Sequence, residues 1–246
     1  ATDLGAGCIA AVLGRPRWAD AALQARARSE GHAAAVLAAY REAGNAFLET
    51  LGGNFALVLM DERRARVLLA VDRCGTERLC FARAGNTLAF STSARAVARH
   101  PQVAAGLSRQ AIYEYLYCHM VPSPDTVFDG VEKLLPAQCL VFERGETSRR
   151  HYWQLSYDTA ASPDEPALRQ RFLALTRQAV GRQIDPQRTT GAFLSGGTDS
   201  STVSGMLGRI TERPADTFSI GFEAQGFDEL EFARIAARHF GTRAHE

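Results

Sequence analysis

Phe193-Leu194-Ser195-Gly196-Gly197-Thr198-Asp199-Ser200-Ser201 reads as a buried strand that passes through a Ser-Gly-Gly turn into a helix. Two adjacent glycines let the backbone turn sharply and come close to a ligand. The helix that follows aims unpaired N–H groups and the positive end of its dipole at whatever sits there. That is an anion site, with phosphate as the first candidate. The stretch contains no Lys and does not fit G-x-x-x-x-G-K-S/T, which excludes a loop gripping the γ-phosphate through a lysine. A carboxylate at Asp199 would repel phosphates unless a cation intervened. Mg²⁺ held by one carboxylate and by phosphate oxygens meets that constraint. The plain alternative is a glycine-rich turn in which Ser195 and Asp199 merely cap the helix.

Downstream, the pattern is strand (Gly191–Leu194), helix (Asp199–Ile210), strand (Asp216–Phe222) and helix (Asp228–Phe240). Val203, Met206, Leu207 and Ile210 share one helical face, and Asp228 with Glu231 offers a capping-box-like start. Such alternation implies right-handed crossovers and a parallel sheet. Two strands are too few to bury both faces of a doubly wound domain, and another strand is expected where the sequence stops at His245-Glu246. The sequence therefore reads as a piece of a longer protein. Upstream, Ser162 as N-cap, Pro163 at the first helical position and Glu165 closing a capping box open a helix carrying Leu168, Phe172, Leu175 and Ala179. Asp158–Pro166 is the expected linker.

The N-terminal half carries short β-rich runs at Cys8–Leu13, Asn54–Met60, Val67–Val71 and Thr87–Ser91, which suggests layered sheets. Helices are expected over Ala33–Ala43, with Val36, Leu37 and Tyr40 on one face, and over Ser108–His119, capped by Ser108. Glu62–Arg66 reads as a solvated hairpin turn, and Asp72 with Arg73 as a buried, paired turn.

A hydrophobic fraction of 46% with 22% charged residues is that of a globular chain. Net charge is +1 with Lys and Arg scattered among acids, so no nucleic-acid footprint is expected. The five cysteines show no C-x-x-C pair and no His at ligand spacing, and Gly7–Leu13 lacks the basic flank of a signal peptide. Reduced thiols in the cytoplasm follow. No run is long enough to span a membrane.

Ser195-Gly-Gly-x-Asp-Ser-Ser201 resembles the pyrophosphate loop of the ATP pyrophosphatases. The longer run Gly191–Ser201, with Thr217-Phe-Ser-Ile-Gly-Phe222 and Phe227-Asp-Glu…Ala233…Ala237-Arg-His-Phe-Gly241, resembles the asparagine synthetase family more narrowly, with Thr198 where Leu or Ile is usual. Leu51-Gly-Gly-Asn-Phe-Ala-Leu-Val-Leu-Met-Asp61, Leu69-Ala-Val-Asp-Arg-Cys-Gly75 and Leu88-Ala-Phe-Ser-Thr-Ser93 resemble the class II glutamine amidotransferase domain of the same synthetases. Val121-Pro-Ser-Pro, Phe128–Ala137 and His151-Tyr-Trp153 match the joining segment.

The resemblance implies an α/β chain in two domains. Residues 1–157 would be a layered α+β, Ntn-type amidotransferase sandwich, and residues 163–246 the start of a parallel-sheet ATP-pyrophosphatase domain. It implies ATP and Mg²⁺ as cofactors and an amide-forming ligase of the asparagine synthase type. That enzyme would adenylate a carboxylate, aspartate first among candidates, before transfer of ammonia or an amine. Ser195, Gly196, Gly197, Ser200 and Ser201 would cradle pyrophosphate, Asp199 would place the metal, and the backbone of Phe193 and Ile220 would flank adenine, with Gly221 leaving room. The family's second nucleotide motif and catalytic Lys are not in this sequence. The residues present supply no catalytic group, and they are expected to be inactive alone. A homodimer is compatible with the resemblance.

An N-terminal-nucleophile glutaminase uses a first-residue Cys whose own α-amine serves as base; here the first residue is Ala1. Cys8 lies too near the Gly52-Gly-Asn-Phe strand for the family layout and reads as a buried strand cysteine. The family's Asn-Gly-Glu clamp for glutamine is matched by Leu13-Gly14-Arg15, and its amine-holding acid by His32. Either the N-terminus has been cut away or the glutaminase has decayed to a structural domain, as in β-lactam synthetases and lasso-peptide cyclases. Loss of the clamp as well as the nucleophile favours decay. A non-catalytic nucleotide-binding scaffold is the reading from another class.

Overall fold

The computed structural model describes residues 2–3, 7–157, 164–185, 187–223 and 228–246. They divide into two compact units, Ala1–Tyr157 and Asp158–Glu246.

In the first unit, β1 (Thr2–Asp3), β2 (Cys8–Trp18), α1 (Ala21–Ser29), α2 (His32–Ala43) and the one-turn α3 (Phe47–Thr50) lead into β3 (Leu51–Asp61) and β4 (Arg66–Val71). Next come β5 (Cys80–Ala84), β6 (Thr87–Ser91), α4 (Ala94–Ala98), α5 (Arg109–Cys118), β7 (Glu132–Lys133), β8 (Gln138–Glu143) and β9 (Glu146–His151). One antiparallel sheet runs in the order β1-β2-β3-β4-β8-β9, and a second in the order β6-β5-β7. Side chains alternate across β3, as a pleated strand requires. Phe55, Leu57 and Leu59 pack with Ala35, Val36 and Tyr40 of α2, whereas Ala56 and Val58 pack with Leu79, Phe81 and Leu134 on the side of the second sheet. The register keeps these faces continuous: Leu57 pairs with Ala70 and Ala70 with Cys139 on the helix side, Val58 with Leu69 and Leu69 with Leu140 on the other. Behind β5, Cys80 and Ala82 meet Val97 of α4 and Val131. Helix, sheet, sheet and helix form four layers, the sandwich the sequence led us to expect.

The expected strands are all present, with β2 and β3 longer than read. The turn Glu62–Ala65 is the solvated hairpin between β3 and β4. Ser108 caps α5 as expected, its Oγ accepting from Ala111 N at 3.3 Å. The face of that helix carrying Ile112, Tyr115 and Leu116 nevertheless stays exposed, and Ala111 is its only buried residue. None of the five cysteines is in a disulfide. Cys8, Cys80 and Cys139 are buried, and burial is the main cause raising each of their pKa values. Cys8 is thus the buried strand cysteine that was read. Asp72 is buried as expected, but Arg73 is not its partner. Four backbone N–H groups hold the Asp72 carboxylate, while Arg73 donates to Glu49 O at 2.9 Å and lies over the Trp153 ring. No helix among the described residues is long and apolar enough to cross a membrane.

Tyr152 gives a pH prediction. Its hydroxyl donates to Val71 O at 2.7 Å, and burial, then the negative charge of Asp72, push its pKa far above 10. The unfolded chain ionises Tyr152 near pH 10 and the folded chain does not. This group therefore supports folding fully below about pH 10, and that support drains away as pH rises further. In urea melts, Tyr152→Phe should lose this alkaline decline, at a cost near pH 7 of about 1 kcal/mol for the missing hydrogen bond. An alkaline slope identical to wild type would sink the assignment.

In the second unit α6 (Glu165–Gly181) precedes β10 (Gly191–Phe193), α7 (Thr198–Thr211), β11 (Asp216–Phe218), α8 (Leu230–Phe240) and β12 (Arg243–His245). The sheet is parallel, in the order β10-β11-β12. Its third strand, β12, stands at Arg243–His245, close to where the sequence reading expected another strand to begin. Leu194, Thr217 and Ala233 are buried, and Leu194 packs against Ala233, Ala236 and Ala237 of α8. Two helix starts differ from expectation. Ser162 and Pro163 lie outside the described residues, and the cap of α6 is Asp164, whose carboxylate accepts from Ala167 N. Asp228 accepts from Leu230 N and Phe222 N instead of closing a box with Glu231, so α8 begins at Leu230. Along α6, Leu168, Phe172 and Leu175 are each at least half exposed.

Candidate functional site

The β10 strand ends in Phe193, and Leu194 N donates to Phe218 O at 2.9 Å, holding the next turn against β11. At Gly196 φ is +83°, and an added Cβ would lie 2.4 Å from the Phe232 carbonyl carbon. Conformation and space both demand glycine there. Gly197 is the N-cap of α7 with no side-chain cap bond, so neither Ser195 nor Asp199 acts as the cap. The first-turn amides of Thr198, Asp199 and Ser200 are left facing outward, the arrangement that favours anions. Ser200 Oγ donates to Gly197 O at 3.1 Å and accepts from Ser195 N at 3.3 Å. With that proton committed, the 3.1 Å contact between the two hydroxyls is a donation from Ser195 to Ser200. Ser195 Oγ also accepts from Gly197 N at 3.4 Å. The turn is thereby closed by its own hydroxyls. Ser201 Oγ is buried and has no hydrogen-bond partner. Asp199 is exposed in the first turn of α7 and takes part in no ion pair among the described residues.

An open cleft of about 300 Å³ adjoins the turn. It brings together Phe193, Ser195, Ser200 and Ile220 from the expected set. Gly196, Gly197, Asp199 and Ser201 belong to the adjoining turn and do not line the cleft. Gly221 does not line it and is exposed; a Cβ there would come 2.4 Å from Cδ1 of the cleft-lining Leu230. Phe193 and Ile220 are 77% and 68% exposed, which corrects any view of them as ordinary core residues. Ser219, which the sequence left without a role, is a strap: its Oγ donates to Leu194 O at 2.7 Å and its N–H to His245 O at 2.9 Å. Phe218, Phe222 and Glu229 also line the cleft and were missed. For Glu229 no sequence signal existed, since it reads only as part of a helix start. Among the described residues no three His, Cys, Asp or Glu side chains converge as a metal cage. A divalent ion at Asp199 would take its other ligands from the bound molecule, as one carboxylate beside phosphates requires.

In the first unit, Gly14 keeps a backbone position only glycine fits, at φ +88° with an added Cβ 2.5 Å from Asn54 O. Its neighbours Leu13 and Arg15 are exposed, and Asn54 Nδ2 donates to Glu77 Oε1 at 3.1 Å. His32 Nδ1 is buried without a partner, and burial lowers the pKa of the ring, so it is neutral at neutral pH.

A family model described as the glutamine amidotransferase domain matches residues 18–153, more than half of the chain. The chain belongs to this family. A second model, described as asparagine synthase, matches residues 171–246, so the likeness to the asparagine synthetase family holds over both units. A putative glutamine-hydrolyzing asparagine synthetase 2 of Methanocaldococcus jannaschii is 28% identical over 215 residues, covering 85% of this chain and 41% of that protein. Glutamine-hydrolyzing asparagine synthetase 3 of Bacillus subtilis is 27% identical, covering 81% of this chain and 35% of that protein. Amidase chry2 of Gibberella zeae is 29% identical, covering 85% and 33%. The chain thus spans less than half the length of these relatives. In it, the four-layer sandwich is the amidotransferase-type unit and the Ser-Gly-Gly turn lies within the synthase-type match.

Proposed function

We propose that the chain belongs to an ATP-dependent amide ligase that activates a carboxylate, with aspartate as the first candidate. In this reading a carboxylate oxygen attacks the α-phosphorus of ATP. The bond from that phosphorus to the bridging oxygen breaks, and pyrophosphate leaves with the electron pair. Ammonia or an amine then attacks the acyl carbon, loses a proton, and displaces AMP. The observation that carries the reading is the uncapped start of α7 beside an unpaired Asp199, at the mouth of the cleft. First-turn amides and the Ser201 hydroxyl would receive the phosphate oxygens, with Ser195 and Ser200 holding the turn in shape. The main chain at Phe193 and Ile220 would flank adenine, and Asp199 would hold Mg²⁺. When bound, that ion neutralises charge on the departing pyrophosphate.

A second reading keeps the ligase but not glutamine as nitrogen source. Leu13-Gly14-Arg15 and the neutral His32 offer no acid for a substrate ammonium, which favours an amide-forming enzyme of the β-lactam-synthetase or lasso-cyclase kind. A nucleotide-binding scaffold is disfavoured, because a scaffold has no need of a carboxylate beside phosphates. The test is exchange of labelled pyrophosphate into ATP by the full-length protein in the presence of candidate carboxylates. Exchange that requires aspartate supports the first reading, and exchange with another carboxylate supports the second. Absence of exchange with every carboxylate would return the chain to the scaffold class.

A further inference from the structure

At the opposite end of the parallel strands lies a second cavity, of about 240 Å³. It forms where the connection from α6 to β10, the last turn of α7 and the first residues of β11 and β12 converge. Arg188, Arg213 and Arg243 reach it from three separate segments, with Thr189 and Thr190 adding hydroxyl groups. Two acids are also present, and both are engaged. Asp216 is held by His245 at 3.0 Å and Arg243 at 3.4 Å, and Asp185 Oδ1 accepts from Gln187 N at 3.0 Å. Arg188 and Arg213 take part in no ion pair among the described residues. Three arginines against two aspartates leave net positive charge in a recess walled by Leu207, Pro214 and Ala215, with the three arginine side chains themselves open to solvent.

Guanidinium groups present paired N–H donors that match carboxylate and phosphate oxygens. The volume lies below the roughly 300–1,000 Å³ of sites for drug-sized ligands. We propose that this cavity binds a compact dianion, either inorganic phosphate or a small dicarboxylate, through Arg188 and Arg213. It is separate from the Ser-Gly-Gly turn: α7 carries that turn at its start and Thr211 of the cavity at its end, about 20 Å away along 14 residues. The proposal does not depend on the nucleotide reading.

The experiment is titration of the ¹⁵N-labelled chain with inorganic phosphate and, separately, with succinate, each against KCl at matched ionic strength. Saturable shifts of the Thr189, Thr190 and Ala215 amides are expected with at least one probe, and which probe acts identifies the anion. In the Arg188→Gln/Arg213→Gln double variant the affinity should fall at least tenfold while the spectrum stays dispersed. Phosphate shifts at Gly196–Ser201 should survive that substitution, which separates the two sites. If the double variant loses dispersion, Arg188→Gln alone, on an unpaired loop residue, must still weaken binding severalfold. The proposal is overturned if neither probe saturates at these amides, if KCl reproduces the shifts, or if the variants bind like wild type.

Discussion

In the full-length protein carrying Asp199→Ala, carboxylate-dependent exchange of pyrophosphate into ATP is expected to fall by about 100- to 1,000-fold, the scale for removing one group that stabilises transition-state charge. Stability should change by no more than about 0.5 kcal/mol, because Asp199 is exposed and engages no other side chain. Few substitutions separate activity from folding so cleanly. Asp199→Asn should lose nearly as much, since the amide keeps the shape and discards the charge. The dependence of ATP affinity on Mg²⁺ concentration should flatten in both variants. Wild-type exchange in Asp199→Ala would refute the metal role. Exchange lost together with the dispersion of the amide spectrum would assign the residue to folding instead.

The turn at Ser195–Ser201 was legible because its signals are local. Paired glycines, an apolar strand before them and an amphipathic helix after them need no distant partner to be read. What failed to show was structure fixed by pairing alone. The β9 segment, Glu146-Thr-Ser-Arg-Arg-His151, is polar throughout and became a strand only as the exposed edge beside β8. Its one cue was Arg144-Gly145, with φ of 52° and 85°, the two positive values of a tight hairpin turn. The β12 strand, three residues held in a ladder by β11, was expected only from the strand–helix alternation before it and not from any pattern of its own. Pro16 hid the second half of β2, since proline interior to a strand argues against it. There β2 has a strand partner on one side only among the described residues, with β1 pairing at Cys8 and Ile9, and an edge accepts a missing donor.

At the site the same division holds. Gly196 was identifiable from the sequence, but the reason no other residue fits, the backbone of α8 lying against it, was not. Ser219 looked idle because its two bonds reach Leu194 and His245, far away in sequence. The Asp72–Arg73 pairing failed for a related reason. Adjacent opposite charges invite an ion pair on paper, but the turn directs the carboxylate inward to its own amides and the guanidinium outward to Trp153.

Asp72→Ala should be the most damaging single change in the first unit. The residue is 1% exposed, and its carboxylate accepts from Phe55 N, Cys74 N, Thr76 N and Glu77 N at 2.9–3.3 Å. Its main chain adds three further links, donating to Phe55 O and accepting from Gly75 N and Ala137 N. The β3 strand, the turn after β4 and the entry to β8 therefore meet at this one position. Removing the carboxylate strands four donors, each costing about 1–3 kcal/mol if it stays dry. Cys74 and Thr76 are exposed, so water recovers part of that, leaving about 3–5 kcal/mol. Asp72→Asn should fare little better, because its NH₂ group would face amides that are donors themselves. Set against a typical total of about 5–15 kcal/mol, such a loss leaves the unit marginal or unfolded. Both tryptophans, Trp18 and Trp153, lie in this unit, so their fluorescence during urea unfolding reports on it alone. An unshifted midpoint in Asp72→Ala would mean that the carboxylate merely occupies the turn, and that the strand pairing around it holds without those four bonds.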